Sequence, residues 1–317
     1  MPDFYMHAKF AKEIEEILPV SLDTPSLLLG AQGPDPFYYK VLGGKTHDYR
    51  YYADRLHDTD TAKSLSLLTT YVKTHPNQKL ISFYIGYLCH YALDVTVHPY
   101  IYHHVGVYDV NQPTTHPWRG LHLRFERAVD IKLIEHDYDI KAHQFNVNSL
   151  LPKYNTEETI DYAISHIIHK TFDSNPGLSY TVASKAMKRT LKWMVRDRFG
   201  MKRLLYKGLD RFNHKTDLFL QDLSLHAKPI PFDYLNIDHH PWHHPITNQK
   251  STASVFDLYD QAKEFVLNIL DTVLPYIEGK GTVDLSTVFT NLSFNTGINC
   301  DRGSKMKYIQ IYTEKQQ

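Results

Sequence analysis

The stretch Gly86-Tyr87-Leu88-Cys89-His90-Tyr91-Ala92-Leu93-Asp94-Val95-Thr96-Val97-His98-Pro99 decides how this chain is read. Gly86, His90, Asp94 and His98 recur every fourth residue. Helical residues advance by about 100° each, so these four positions share one face, one turn above another. Gly86 leaves room one turn before His90. If that helix packs in a core, it takes three polar or ionisable groups in with it, and each is costly to bury without a partner. A metal cluster resolves that cost, and so does exposure of the stripe to solvent. His122 and Glu126 repeat the same step on a later helix, with Asp130 one turn further on. Two facing stripes of metal-type ligands suit a multinuclear zinc site in a helical bundle.

Composition sets the bounds. The 317 residues are enough for one large domain or two ordinary ones, and 42% are hydrophobic, so a sizeable core can be buried. Lys and Arg number 35, Asp and Glu 35, so no excess positive charge is available for a nucleic acid, and none is expected as a partner. Basic residues cluster in Lys185–Arg203, interrupted by Asp197, and are read as a solvated helix face. Two cysteines, Cys89 and Cys300, make no disulfide framework. Met1–Val20 mixes Lys9, Lys12, Glu13, Glu15 and Glu16 among its apolar residues and lacks a signal pattern. No run approaches the ~18 apolar residues of a membrane span. The expectation is a soluble, cytoplasmic protein without a transmembrane segment. The compositional outliers are 20 histidines and 23 tyrosines. Histidine is the commonest zinc ligand.

Helix dominates the pattern, so the expected fold is all-α, a multi-helix bundle. It is read as a single helical domain over 1–317, with the metal site built from 1–136 and additional packing helices in 150–317. Asp3 caps a first helix to about Ile17, with His7, Phe10, Ala11, Ile14 and Leu18 on its inward stripe. Pro19 to Lys45 reads as an ordered loop. Within it, Pro34 and Pro36 hold Asp35 on a stiff, extended segment, which suits a ligand or a base. A helix from near Asp58 or Asp60 to Lys73 begins just after His57. The ligand helix follows over Lys79–Val97, then a long loop over 99–118, then a helix over Arg119–His136. Further helices are expected over Thr156–Phe172, Thr181–Phe199 and Ser254–Ile277, and a short strand over Lys307–Tyr312. The turn Asp238–His244 reads as a packing loop anchored by Trp242, and His103 and His104 as loop residues.

Zinc takes imidazole and carboxylate ligands at about 2 Å, three or four to each ion. The candidates are His7, Asp35, His57, His90, Asp94, His98, His122 and Glu126, enough for two or three zinc ions. Asp94, between two histidines of one helix, has two oxygens with which to bridge a pair of ions.

These pieces together resemble the zinc-dependent phospholipase C family, similar in fold to zinc-dependent single-strand nucleases. The matching elements are His7, Gly30-Ala31-Gln32-Gly33-Pro34-Asp35, His57, His90-x3-Asp94-x3-His98-Pro99 and His122-x3-Glu126. The resemblance implies that Asp35, His57, His90 and Asp94 hold one zinc and His98, His122 and Glu126 a second. His7 and Asp94 then hold a third, with Asp94 bridging. Secreted members complete that third site with an N-terminal tryptophan, whereas this chain begins Met1-Pro2. The expected activity is hydrolysis of a phosphate ester, a phospholipid first, by metal-activated water, with Asp35 as general base. Phe37, Tyr38 and Tyr39 either line a headgroup or acyl pocket or pack in the core. Two alternatives stand beside this reading. His57-Asp58 is also the doublet of His-Asp-domain nucleotide phosphohydrolases, in which Asp58 is a ligand, and a nuclease shares the related fold. The other is a non-catalytic helical protein with structural zinc.

Overall fold

A computed structural model describes residues 4–40, 44–150, 158–212, 218–302 and 305–312. In chain order the helices are α1 (Phe4–Ile17), α2 (Thr24–Gly30), α3 (Thr46–Asp58), α4 (Thr61–Thr74), α5 (Gln78–Val105) and α6 (Leu121–Tyr138). They continue with α7 (Glu158–Phe172), α8 (Tyr180–Thr190), α9 (Met201–Leu209), α10 (Val255–Ile277) and the short α11 (Leu285–Val288). Among the described residues the only sheet is a two-stranded antiparallel ribbon, β1 (Trp242–His243) with β2 (Lys250–Ser251). The fold is all-α. Asp3, the expected cap of α1, and the first two residues of the helix expected from Thr156 lie outside the described residues.

α5 is the axle. On length and composition it could cross a membrane, but 89% of its most apolar window is buried inside the protein. Here it is a core helix, wrapped by α1, α2, α6 and α10. Its closest neighbour is α2. An added Cβ on Gly86 would lie 2.1 Å from the Leu27 carbonyl oxygen, and one on Gly30 would lie 1.9 Å from that of Phe83. The two backbones meet through paired glycines. That contact brings the chain after α2 against the face of α5 that carries His90.

Several expectations about element bounds are corrected. The loop expected over 99–118 begins only after Val105, because α5 continues through Pro99. The proline removes one backbone donor, and the Val95 carbonyl left over lies against Gly297 of the C-terminal segment. Burial on all sides outweighs the local penalty. His103 and His104 therefore sit on the last helical turn. The stretch 19–45 is not all loop: Asp23 accepts the N–H of Ser26 and caps α2. Asp35 opens a 3-10 helix, Asp35–Tyr39, rather than an extended segment. α3 was not expected; its stripe of Tyr49, Tyr52, Ala53 and Leu56 is short and set among charges. His57 ends α3 instead of leading into α4.

The helix expected over Thr181–Phe199 ends at Thr190 and passes through a π turn, Leu191–Val195. Buried Asp197 then accepts the N–H groups of Lys202 and Arg203 and the Ser224 hydroxyl, which starts α9 in a new direction. Lys307–Tyr312 forms no strand. The N–H groups of Gln310 and Tyr312 instead reach the carbonyls of His103 and His104, which the end of α5 leaves open. Trp242 is buried and donates to the Ala253 carbonyl, so the histidine-rich turn is a packing anchor.

Gly86→Ala should destabilise the protein by about 3 kcal/mol or more, since backbone atoms must part to admit the methyl. Urea unfolding measures it; an unchanged midpoint would contradict the close α2–α5 contact.

Candidate metal centre

Five separate stretches deliver the candidate ligands to one place. His7 comes from the first turns of α1, where Asp130 of α6 accepts the N–H groups of Tyr5 and Met6 at 2.9 and 3.1 Å. That carboxylate meets two of the open donors at the start of α1 and fixes where His7 points. Asp35 stands at the head of its 3-10 helix and His57 on the last turn of α3. His90, Asp94 and His98 are the stripe of α5, and His122 and Glu126 face them from α6.

Asp94 is the hub. Its Oδ1 lies 3.3 Å from Nε2 of His7, and its Oδ2 lies 3.0 Å from Nε2 of His90 and 3.8 Å from that of His57. His57 Nε2 is also 3.1 Å from Asp35 Oδ1, which is 3.9 Å from His90 Nε2. A second knot follows one turn along α5. There Glu126 Oε1 is 2.8 Å from Nε2 of His122 and 3.6 Å from that of His98. The His7 and His90 rings stack with centroids 4.3 Å apart.

Three groups of donors have ligand atoms within 4.8 Å of one another: His7, His90 and Asp94; Asp35, His57 and His90; His98, His122 and Glu126. All eight sequence candidates are included. Ligands about 2.0–2.1 Å from a tetrahedral zinc stand about 3.3 Å from each other. The separations above bracket that value. The donor set is imidazole and carboxylate, which zinc accepts. Nε2 of His7, His57, His90 and His98 and both oxygens of Asp94 are buried and make no hydrogen bond among the described residues. Burying such atoms is costly unless an ion takes them up. The residues fit zinc.

The imidazoles are also aimed. Nδ1 of His57 is 2.7 Å from the Ala53 carbonyl oxygen, that of His90 is 3.1 Å from Ala31, and that of His98 is 2.7 Å from Phe294. An Nδ1–H donated to a carbonyl leaves Nε2 as the lone pair that faces the centre, the usual support for a ligating histidine. Ala31 and Ala53 lie near their histidines in the chain or the fold; Phe294 is 196 residues from His98. Its own N–H bonds to the His57 carbonyl, so one C-terminal residue braces two ligand helices.

Enclosure and charge set the protonation. Burial drives His98 and His122 well below the ordinary histidine value, and burial followed by the neighbouring His90 lowers His7. Burial also opposes charge on His90, but the carboxylates of Asp94 and Asp35 hold it above its ordinary value. Burial alone would raise Asp94; the imidazoles of His90 and His98 beside it hold it well below. At neutral pH, His7, His98 and His122 are neutral and available as ligands.

The remaining sequence candidates divide. Phe37 is buried between Tyr49 and Tyr180 and offers no surface to a substrate. Tyr39 is partly buried against the core. Tyr38 is half-buried, its ring 5.7 Å from that of His57 and its hydroxyl donating to Asp54. Asp58 is exposed at the end of α3 and joins none of the three groups. Tyr102 was missed: its ring lies 4.8 Å from His122 and its hydroxyl donates to Asn295. It stands one turn beyond His98, the step that would have found it. Asp130 likewise continues the step from His122 and Glu126. The Phe294 carbonyl carries no sequence signal.

The metal-free protein should lose stability as pH falls from 7.5 to 5.5. His7 and His98 have lowered values when folded, so the unfolded chain binds more protons and stability drops below about pH 6.5. Each imidazole kept neutral costs about 1.4 kcal/mol per pH unit below that point. His90, with its raised value, opposes this in part. A melting temperature of the chelated protein that is flat or rises on acidification would contradict the assignment.

A family model described as zinc dependent phospholipase C matches residues 6–175, more than half of the chain and all eight candidate ligands. No curated protein and no solved structure matches.

Proposed function

This chain belongs to the zinc-dependent phospholipase C family, and we propose that it hydrolyses phosphate esters, phospholipids as a class, with two or three zinc ions. The observation that carries this reading is the placement of Asp94, one of whose oxygens faces His7 while the other faces His90 and His57, beside three adjoining donor groups. A structural zinc site is closed by its own protein ligands and has no need of a shared carboxylate or of eight donors.

Asp35, His57, His90 and Asp94 would hold one zinc; His98, His122 and Glu126 would hold a second. His90 has one nitrogen to give, since Nδ1 is engaged with Ala31, so it serves a single ion. His7 and Oδ1 of Asp94 are then left as two donors toward a third position. When bound, zinc neutralises phosphate oxygens and lowers the pKa of water toward ~7.

The chain's own residues do the rest. Asp35, at the edge of the first donor group, takes the proton of the attacking water. The water oxygen bonds to phosphorus, the bond from phosphorus to the glycerol oxygen breaks, and that oxygen takes up a proton from solvent. Diacylglycerol and a phosphorylated headgroup leave. The side chain of His122 is 34% exposed, whereas those of His98 and Glu126 are buried, so substrate enters on that side. Tyr38, beside His57, and Tyr102, beside His122, are the rings that would meet a headgroup, including a quaternary ammonium.

Zinc-loaded protein should release nitrophenol from bis(nitrophenyl) phosphate and phosphocholine from phosphatidylcholine, and a chelator should abolish both. Asp35→Asn should lower kcat by about 10²-fold or more. Zinc-loaded protein inert toward phosphodiesters, phosphomonoesters and phospholipids would instead identify a structural or sensing zinc protein.

A further inference from the structure

α9 is amphipathic in the wrong direction for a core helix. Met201, Leu204, Leu205 and Leu209 follow the helical step that marks a buried face, and Phe212 continues it just beyond the helix. Yet they are 68%, 71%, 60%, 46% and 84% exposed, and only Tyr206 of this helix is buried. Phe199, at 75%, and Trp193 of the π turn, at 65%, are exposed in the segment that leads into this helix. Contiguous patches of this kind mark an interaction site, whereas single exposed apolar residues do not.

The helix is nevertheless held in place. Asp197 caps its start, and the Lys202 ammonium donates to the carbonyls of Trp193 and Arg196. The Tyr206 hydroxyl donates to Met194. The apolar face is therefore presented on a fixed support.

Its charge is one-sided. Residues 182–212 contain ten lysines and arginines against two aspartates. Asp197 is buried in the cap, and Asp210 accepts the N–H groups of Leu220 and Gln221. Lys185, Arg189, Lys192, Arg196, Arg198, Lys207 and Arg211 are exposed, and no acidic residue of this stretch is. The solvated polar face expected from the sequence is a stretch in which exposed cations alternate with exposed apolar side chains.

The patch is also tied to the metal centre. Beyond Asp210, Phe219 lies under the guanidinium groups of Arg119 and Arg124, and Arg124 pairs with Asp222 at 3.0 Å. Arg119 and Arg124 flank His122, the half-exposed ligand candidate at the start of α6.

We propose that α9 and the π turn before it form a docking surface for anionic lipid membranes. Trp193, Phe199, Met201, Leu204, Leu205 and Phe212 would enter the interface, and the surrounding lysines and arginines would meet lipid phosphates. Large apolar and aromatic side chains ringed by cations, on a helix that can lie flat, are what an anionic interface takes up. A second copy of the chain fits poorly, because pairing this face with itself sets seven exposed cations against seven. The proposal goes beyond the hydrolytic reading and does not need it, since sedimentation reads membrane binding whether or not the lipid is turned over.

The test is co-sedimentation of the zinc-loaded full chain with vesicles of phosphatidylglycerol and phosphatidylcholine in equal parts, against phosphatidylcholine alone. Cleavage of soluble bis(nitrophenyl) phosphate is measured separately. The chain should partition onto the mixed vesicles at least about tenfold more strongly, and high salt should weaken this. L204E/L205E and K207E/R211E should each lose about tenfold or more of that binding while keeping the unvaried chain's rate on the soluble ester. An unchanged melting temperature reports that the variants fold, whether or not the chain cleaves the ester. Equal binding by variants and unvaried chain, or no preference for anionic vesicles, would overturn the proposal. So would a concentration-dependent dimer that L204E/L205E dissolves, which would assign the face to a second copy.

Discussion

The carboxylate of Asp94 lies at the middle of the protein with no exposed surface, and the imidazoles of His7, His57 and His90 face it from three different elements. Such a charge is tolerated in an interior only when it is compensated. Neighbouring imidazoles offset it partly, and the lowered His7 and His98 show how reluctant this enclosure is to add protons. Divalent cations fit the remaining need in sign, in donor type and in spacing. Much of the fold can be understood as the means of keeping these groups dry and aimed. α5 supplies the stripe, α2 presses close enough through Gly30 and Gly86 to bring in Asp35, and α6 closes the far side.

Aiming depends on backbone carbonyls as much as on ligands. Three histidines are oriented through Nδ1 by Ala53, Ala31 and Phe294, and α1 is held by Asp130 through two backbone N–H groups. These partners come from both halves of the chain. The C-terminal segment thus belongs to the centre, although every candidate ligand lies within the first 126 residues. The matched family region ends at residue 175, so the brace at Phe294 and the basic, apolar platform at α9 lie beyond it.

What could be read from sequence was what repeats at short range. The four-residue step on α5 and α6 marked two ligand stripes, and the prolines around Asp35 marked a stiff segment, though an extended one where a 3-10 helix forms. Elements whose existence depends on distant packing were not legible. Pro99 is a fair stop signal in isolation, and only enclosure by α1, α2, α6 and α10 carries α5 past it. α2 is too short for a periodic pattern, and α3 hides a four-residue apolar stripe among charges. Asp130 was legible on the stripe of His122 and Glu126, and Tyr102, one turn beyond His98, was within reach of the same step. Phe294 was not, because a main-chain carbonyl has no residue-type signature. The outward face of α9 was equally hidden: an apolar stripe announces a helix and says nothing about which way it turns.

Anomalous scattering at the zinc edge, from crystals of protein purified with zinc, tests the central claim most directly. Peaks should lie between Asp35, His57, His90 and Asp94 and between His98, His122 and Glu126, a few ångströms apart, with any third beside His7 and Asp94. Zinc found only at the surface histidines of 238–244, or no ordered zinc among the buried donors, would contradict the account.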